Sequence, residues 1–533
     1  MFAGGMLILG AFGSAFAQVP LRLPQLDAGA LDAQRQQMER ANREQLRPEA
    51  DTAPVITTPN RPSGQVNEGG PKFLLNRVKF TPSAFIEPAE LDAIAQPLIG
   101  KQVDMGELNT IVDAVNRLYV ERRIATALAI LAPQRIEGGV VTIELVEGKL
   151  SRAQVDSQYT NSAFVLSHLA LHDGAIVDIP RLERDLIWFN RTHEVQLSAD
   201  IKPGESRGTT DISIEVKESP RVVSKVFADN QESRTLGRYQ AGLDLRLNGV
   251  LGRADVFSAL VSKSRGGTNG YLGYAIPFNR RGGQVTFSIS RNNISIIDGP
   301  YSALGITGIS RRLAASLTQP IYVDQQWLVS LGYTRAKSRS ENAITSVPLS
   351  RFEIDSNILS SQVGRQGAGY QWTIEGSLER GKSVNQFNTD QSYTLRSMNA
   401  SSVVVLGSSW YGVARAALRK TDASMLPPAA LFQLGGSGSV RGYESGAVSG
   451  TEGSNFGLEF HRPVALGWDG FLFYDRGSVH SPSLPTTTIS GTGVGASWTE
   501  GRYSLRMVLG RPLNKVRPEQ DSYRADLRLE IGF

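Results

Sequence analysis

The chain closes on Tyr523-Arg-Ala-Asp-Leu-Arg-Leu-Glu-Ile-Gly-Phe533, and this stretch decides the fold. At two-residue spacing Tyr523, Ala525, Leu527, Leu529, Ile531 and Phe533 share one face of a strand, while Arg524, Asp526, Arg528 and Glu530 share the other. A face with that many charges has to meet water. The apolar face has to meet lipid or a second sheet.

The same texture runs back to Arg221. Leu243, Leu245 and Leu247 interleave with Asp244, Arg246 and Asn248, and Val285, Phe287 and Ile289 with Thr286, Ser288 and Ser290. Trp372, Ile374 and Leu378 interleave with Thr373, Glu375, Ser377 and Glu379, a face that cannot lie in hydrocarbon. A soluble sandwich alternates too, but its apolar face needs a second sheet, and here the pattern continues without a change of texture. Eleven such segments fit between Arg221 and Lys420 and five between Ser454 and Phe533. An even total returns both barrel ends to one side of the membrane. The expected fold is therefore membrane all-β: a 16-stranded antiparallel transmembrane β-barrel over 219–533, wide enough to enclose a channel that must be filled or gated.

Composition agrees with this class. Glycine accounts for 54 residues, 41% of the chain is hydrophobic and 20% charged. A net charge of +5 spread over 56 basic and 51 acidic residues gives no basic stripe, so no nucleic-acid partner is expected. With no cysteine, thiolate metal sites and disulfides are excluded. Residues 1–17 are apolar and small and end in Ala15-Phe16-Ala17, the form of a secretory signal peptide, although no basic residue precedes them. Beyond them no apolar run reaches the length of a spanning helix, so entry into a membrane would be by the barrel.

Between leader and barrel lie four further parts. Within 18–46, Asp32 to Glu44 are good helix formers without a continuous apolar face, which places an N-terminal helix in solvent or in a polar cavity. Residues 47–72, with Pro48, Pro54, Pro59, Pro62 and Pro71, read as an extended linker. From Phe73 the pattern turns globular and α+β. Phe73–Phe80 reads as a strand, Pro88–Ile99 and Asp104–Tyr119 as helices, and Ala125–Leu131 and Val140–Val146 as strands. The same β-α-α-β-β order follows with Ala153–Tyr159, helices around Ala163–Leu171 and Ile179–Asn190, and strands Glu194–Ile201 and Thr210–Val216. Ile143-Glu-Leu-Val-Glu147 is answered by Ile214-Glu-Val-Lys-Glu218, so 73–147 and 148–218 form a duplication.

The unusual connection of the barrel is 421–453, which contains Leu434-Gly-Gly-Ser-Gly-Ser-Val440-Arg441-Gly442-Tyr443. By strand parity it leaves from the extracellular side. Its glycines allow tight turns and close approach of backbone, and a lone arginine among them needs a carboxylate if it is withdrawn from water. The following segment, Phe471-Leu-Phe473-Tyr-Asp475-Arg-Gly477, puts Phe471, Phe473 and Asp475 on one face, and an aspartate cannot face lipid cheaply. We expect the loop to fold into the lumen and Arg441 to pair with Asp475, with Phe473 packed on the glycine-rich turn. Two apparent motifs carry less. His168 and His172 stand four apart on an expected helix but lack a third ligand. Gly204-Glu-Ser-Arg-Gly208 matches a nucleophile elbow but joins two strands, as a hairpin would.

This order of parts, with Val440-Arg441-Gly442-Tyr443 in the long loop and Phe473-x-Asp475-x-Gly477 on a following strand, resembles the two-partner secretion transporters, the TpsB or haemolysin secretion-activation (ShlB-like) family. The resemblance covers nearly the whole chain. It implies that the repeats are periplasmic POTRA (polypeptide-transport-associated) domains and that the barrel sits in outer-membrane lipid. It also implies a dedicated partner, a large TpsA-like, β-helical adhesin or haemolysin, captured unfolded and exported without ATP or any cofactor. The N-terminal helix would be a plug, and Arg441 and Asp475 fall on the family's two motifs. A terminal aromatic on an alternating strand resembles the signal read by the barrel-assembly machinery, which singles out Tyr523 and Phe533. Capture also has a route independent of the family, since an extended segment can add to an exposed sheet edge of either repeat. The alternative is an outer-membrane insertase, although insertases carry more repeats. A porin has no need of such repeats, and an enzyme would need a convergent catalytic set that is not evident.

Overall fold

The computed structural model describes residues 27–43, 56–57 and 70–533, apart from the single positions 125, 207, 408, 466, 483 and 519. The expected signal peptide and most of the expected linker lie outside the described residues. The described chain forms two compact units, one of 27–43 with 220–533 and one of 56–219.

The first unit is a closed barrel of sixteen strands joined to their neighbours in chain order, every pairing antiparallel. It closes where the first strand, Val222–Asp229, pairs with the last, Arg524–Gly532, in the register Phe227↔Glu530. Alternation sorts the side chains as the sequence requires. Leu272, Phe287, Leu313 and Leu359 are exposed on the outer face, whereas Asn292, Ser330, Ser340 and Ser356 are buried on the inner one. In the last strand Leu527 and Leu529 point outward, and Arg524, Asp526 and Arg528 are buried inside. The Arg528 guanidinium lies 2.8 Å from Asp229 of the first strand, so an ion pair bridges the closure. The sixth, seventh and eighth strands, Ile306–Val323, Trp327–Ile344 and Val347–Gly367, run 18, 18 and 21 residues. Crossing the hydrocarbon takes only about 10 residues, so their extracellular ends stand clear of it.

The second unit contains the two repeats. In the first, Arg77–Phe80 runs parallel to Val140–Ile143, and Ala127–Ile130 runs antiparallel to Glu144–Glu147. Helices Pro88–Ala95 and Met105–Glu121 cover the sheet, burying Leu108, Ile111, Val115 and Tyr119 against Val141 and Ile143. Asp104 and Glu107 form a reciprocal capping box at the start of the second helix. The strand expected over Phe73–Phe80 is split, because Phe73–Leu74 pairs with Gln102–Val103 instead. The first helix stops at Ala95, since Pro97 lacks the amide that an α-helical continuation needs, and a 3-10 turn follows.

The second repeat reproduces that topology with Lys149–Asp156 parallel to Thr209–Glu215 and Gln196–Pro203 antiparallel to Thr210–Lys217. The duplication reaches individual hydrogen bonds. Glu147 accepts from Ser83, the amide of Ala84 and the Tyr119 hydroxyl, and Glu218 accepts from the amides of Gln158, Tyr159 and Thr160. Each glutamate ends its repeat and pins the turn after that repeat's first strand. Partial burial works to raise the pKa of Glu218, but the hydrogen bonds from Thr160, Gln158 and Tyr159 prevail and hold it below the usual carboxylate value.

His168 and His172 do not share a helix face. That helix ends at His168, where Leu169 turns extended, and the His168 ring packs beside Phe164, Phe189 and His193. Burial, with His168 next to it, pushes the His193 imidazole down to about 4. Residues 204–208 connect two antiparallel strands, with the Gly204 amide donating to the Thr209 carbonyl.

Candidate functional site

The lumen of the barrel holds two guests, the connection between the eleventh and twelfth strands and the N-terminal helix. The eleventh strand ends at Thr421 and the twelfth starts at Glu452. Between them Phe432–Leu434 and Val448–Gly450 pair as a small two-stranded ribbon whose tip carries Val440 to Tyr443. Gly435, Gly436 and Gly442 adopt φ of +116°, +79° and +92°, where a side chain is strained, so the turn depends on them. Leu434, Val440 and Tyr443 are buried with Phe432, Val479 and Ile489. The Tyr443 hydroxyl lies 2.7 Å from the Asn514 carbonyl oxygen.

The structure brings Arg441 onto Asp475 of the thirteenth strand, Trp468–His480. Nε and the backbone amide of Arg441 donate to Oδ2 at 2.7 and 3.0 Å, and a terminal nitrogen donates to Oδ1 at 2.8 Å. The remaining terminal nitrogen donates to Glu459 at 2.7 Å. The guanidinium lies 3.8 Å from the centre of the Phe473 ring, a cation–π contact. All of these groups are buried, and each of the three guanidinium nitrogens has a carboxylate acceptor. Phe473 thus serves as a floor beneath Arg441, and the loop turn is packed by Leu434, whose methyl would stand 2.7 Å from a Cβ added at Gly477.

Two contributors were not singled out from sequence. Glu459 lies on the lumenal face of the twelfth strand, alternating with the outward Leu458 and Phe460, and is contacted by Arg415, Arg441 and His461. The parity rule that placed Asp475 applies equally to Glu459. The second is Gly491-x-Gly493-x-Gly495 on the fourteenth strand. A Cβ at Gly493 would meet the Phe473 ring at 2.8 Å, one at Gly491 would collide with the Arg441 carbonyl, and one at Gly495 with Phe471. Glycine at every second position of a strand leaves one face without side chains, and this face receives the loop and its aromatic floor.

The second guest is the helix Ala28–Arg43. It starts earlier than expected because Asp27 caps it, accepting from the amides of Gly29 and Ala30. Asn342 of the seventh strand then reads both Asp27 and the Ala28 amide, at 2.6 and 2.9 Å. Arg35 pairs with Glu232 and donates to Asn292 at 2.6 Å. Arg35 and Gln37 thus make polar contacts with the wall and the loop. In the first turn of the helix, Ala28 and Leu31 join a buried cluster with Leu236, Ile294, Ile296 and Ile306. The two guests also touch each other through Gln433 to the Ala30 carbonyl and Gln37 to the Gly438 carbonyl.

Among the described residues there is no group of three potential metal ligands and no helix long and apolar enough to cross a membrane, which says nothing of the barrel. The closed sheet with an apolar exterior and a loop folded onto a lumenal carboxylate define a membrane-spanning barrel built around its own N-terminal helix and loop. Residues 208–498 match the haemolysin secretion/activation protein family ShlB/FhaC/HecB, and residues 73–148 match the ShlB-type POTRA domain. The chain belongs to that haemolysin secretion/activation family: it is an outer-membrane transporter with POTRA domains facing the periplasm. It is 24% identical over 524 residues to the outer membrane transporter CdiB of an Escherichia coli strain, covering 91% of this chain and 87% of that protein. To the heme/hemopexin transporter protein HuxB of Haemophilus influenzae it is 24% identical over 478 residues, 82% of each. Among solved structures, CdiB from Escherichia coli superposes with a TM-score of 0.68 at 20% identity, covering 95% of this chain and 98% of that one. BamA from Haemophilus ducreyi lacking POTRA domains 1–3 gives 0.53 at 16% identity, over 87% and 100%.

Proposed function

We propose that this transporter exports one dedicated, large β-helical exoprotein, captured unfolded by the periplasmic repeats and passed through the barrel lumen without ATP. The observation that carries this reading is the helix Ala28–Arg43 seated in the lumen, with Asp27, Arg35 and the Ala30 carbonyl hydrogen-bonded to the wall and the loop. A conduit wide enough for a polypeptide would leak unless closed at rest, and a tethered polar helix can be exchanged for an incoming chain without exposing a large apolar surface. Capture is supported by the sheet edge of the second repeat, where Ile56 and Thr57 lie as an added parallel strand against Ala199 and Asp200. Backbone pairing of that kind tolerates many sequences. The cycle we infer has no chemical step of its own; folding of the exported chain outside the cell supplies the direction.

The second reading, an insertase for other barrels, is favoured by one feature. The seam between the first and last strands is registered only from Lys225 to Asp229 against Arg528 to Gly532, shorter than the neighbouring pairings. Deleting the gene and comparing secreted and outer-membrane proteins by mass spectrometry separates the two. Loss of a single large exoprotein with an unchanged membrane profile is the expected result; a general fall in barrel proteins would overturn export in favour of insertion.

A further inference from the structure

The two ends of the barrel's outer face differ in chemistry. On the periplasmic side, where the odd strands begin, stand all the barrel tryptophans: Trp327, Trp372, Trp410, Trp468 and Trp498. The arginines there lie over aromatic rings, Arg365 at 5.0 Å from Trp327 and Arg462 at 5.4 Å from Trp410. At the extracellular end the boundary is cationic. On the fifth strand the outward residue after the last apolar one is Arg291, following Ile289, and on the sixth and ninth Arg311 stands next to Leu313 and Arg380 next to Leu378 on the outer face, with Ile309 and Val384 further along. The thirteenth strand repeats the step from Tyr474 to Arg476, and the tenth and eleventh carry Arg396 and Lys420 beyond Met398 and Leu418.

Register sets several of these cations side by side. Arg291 is the register partner of Arg311, Arg311 of Arg339, and Arg396 of Lys420. Like charges directly opposite on one face destabilise a sheet unless an anion lies between them. Some members have one from the protein, since Arg396 pairs with Asp422 and Lys420 with Glu452. Arg291, Arg311, Arg380 and Arg476 are exposed and have no ion-pair partner among the described residues. An exported chain would emerge from the lumen, on the other face of the wall. What lies immediately beyond an apolar outer face is the headgroup layer of the outer leaflet.

We propose that this belt is a binding site for phosphorylated glycolipid headgroups of the outer leaflet, of the lipid A type, with phosphate groups held between the facing arginines Arg291 and Arg311 and at Arg380 and Arg476. The forked guanidinium matches phosphate oxygens in pairs, and each such contact at a membrane surface is worth on the order of 1 kcal/mol. The belt anchors the side of the barrel where the long sixth to eighth strands stand clear of the hydrocarbon, and it rests only on the outer-membrane location.

The test uses the full chain in detergent, with bound lipid counted by native mass spectrometry after adding diphosphorylated lipid A, its dephosphorylated form, or inorganic phosphate as competitor. The expected result is retention of the diphosphorylated lipid over the dephosphorylated form by at least about fivefold, the factor that 1 kcal/mol gives. Replacing Arg291, Arg311, Arg380 and Arg476 together with serine should remove that preference, while Arg365→Ser with Arg462→Ser at the periplasmic end should keep it. Heat-modifiable migration on gels shows whether each barrel is folded, and if the fourfold variant is not, Arg311→Ser alone is expected to lower retention. Equal binding of both lipid forms, or equal binding by native and folded variant barrels, would overturn the proposal. Complete displacement by millimolar inorganic phosphate would also overturn it, reducing the belt to a general anion site.

Discussion

Two arginines enter the barrel lumen from elements that are not part of its wall, and their surroundings differ. Arg441 meets two carboxylates, donates its own backbone amide to one of them, and rests on Phe473 above a strand cleared of side chains at Gly491, Gly493 and Gly495. Arg35 pairs with Glu232 and donates to the Asn292 side chain, and among the described residues no aromatic ring lies beneath its guanidinium. The loop bearing Arg441 is held at both ends by barrel strands, Tyr411–Thr421 and Glu452–Pro463. A buried ion pair is weak evidence for stability by itself, because desolvation offsets the attraction. What separates the two seats is how much of the surrounding wall is shaped to one occupant. The loop seat is shaped in backbone, carboxylates and ring alike. The helix seat combines a small apolar cluster at the first turn with polar groups that water could replace.

Three experiments press on this contrast. The largest effect is expected from Arg441→Glu, which sets a third carboxylate beside Asp475 and Glu459. Breaking a buried pair costs about 3–5 kcal/mol, and less where water enters the lumen. Export of the partner should be abolished while heat-modifiable barrel remains in the membrane, and normal secretion at normal barrel levels would remove the role given to the pair. A smaller effect is expected from Arg35→Ala, which strands Glu232 at a cost of about 1–3 kcal/mol. Planar-bilayer recordings should show a higher open probability with the loop contacts intact; if conductance is unchanged, the helix seat is not the weaker of the two.

The smallest effect lies outside both seats and serves as their control. The pKa of Glu218 is lowered in the folded repeat, so the stability it contributes is present above the ordinary carboxylate pKa and is lost as pH falls through the lowered folded value. Glu218→Gln should weaken protection of the Gln158–Thr160 amides in hydrogen exchange of the full chain by about 1 kcal/mol, allowing for solvent screening, and remove its acid dependence. Exchange in the 432–450 ribbon should not change. A shift there would mean that the soluble unit and the loop seat are coupled.

Legibility followed the physical origin of each feature. The barrel could be counted because strand alternation between lipid and water is written locally, two residues at a time, and needs no knowledge of neighbours. The aspartate of the thirteenth strand was found by the same rule, and Glu459 on the twelfth obeys it just as plainly but lacked a motif to draw attention. Helix ends were less secure. Asp27 moved the start of the plug helix forward, and Pro97 cut short a helix whose apolar spacing ran on. The glycines of the fourteenth strand alternate in the sequence, but what they make room for shows only when Phe471, Phe473 and the Arg441 backbone are seen filling the space they leave.

By itself the sequence determined the class of this protein: an alternating barrel of sixteen strands, two duplicated α+β repeats ahead of it, a polar helix and a glycine-rich loop with one arginine. Those are properties of periodicity, composition and repetition, which act over short stretches of chain. Only the tertiary structure decided that Glu459 joins Asp475 in receiving Arg441, that Glu232 receives Arg35, which strand yields its face to the loop, and where unpaired arginines line up around the rim. Each of those joins residues tens to hundreds of positions apart, and their meeting depends on the register and tilt of a closed sheet, a quantity set by all the strands together.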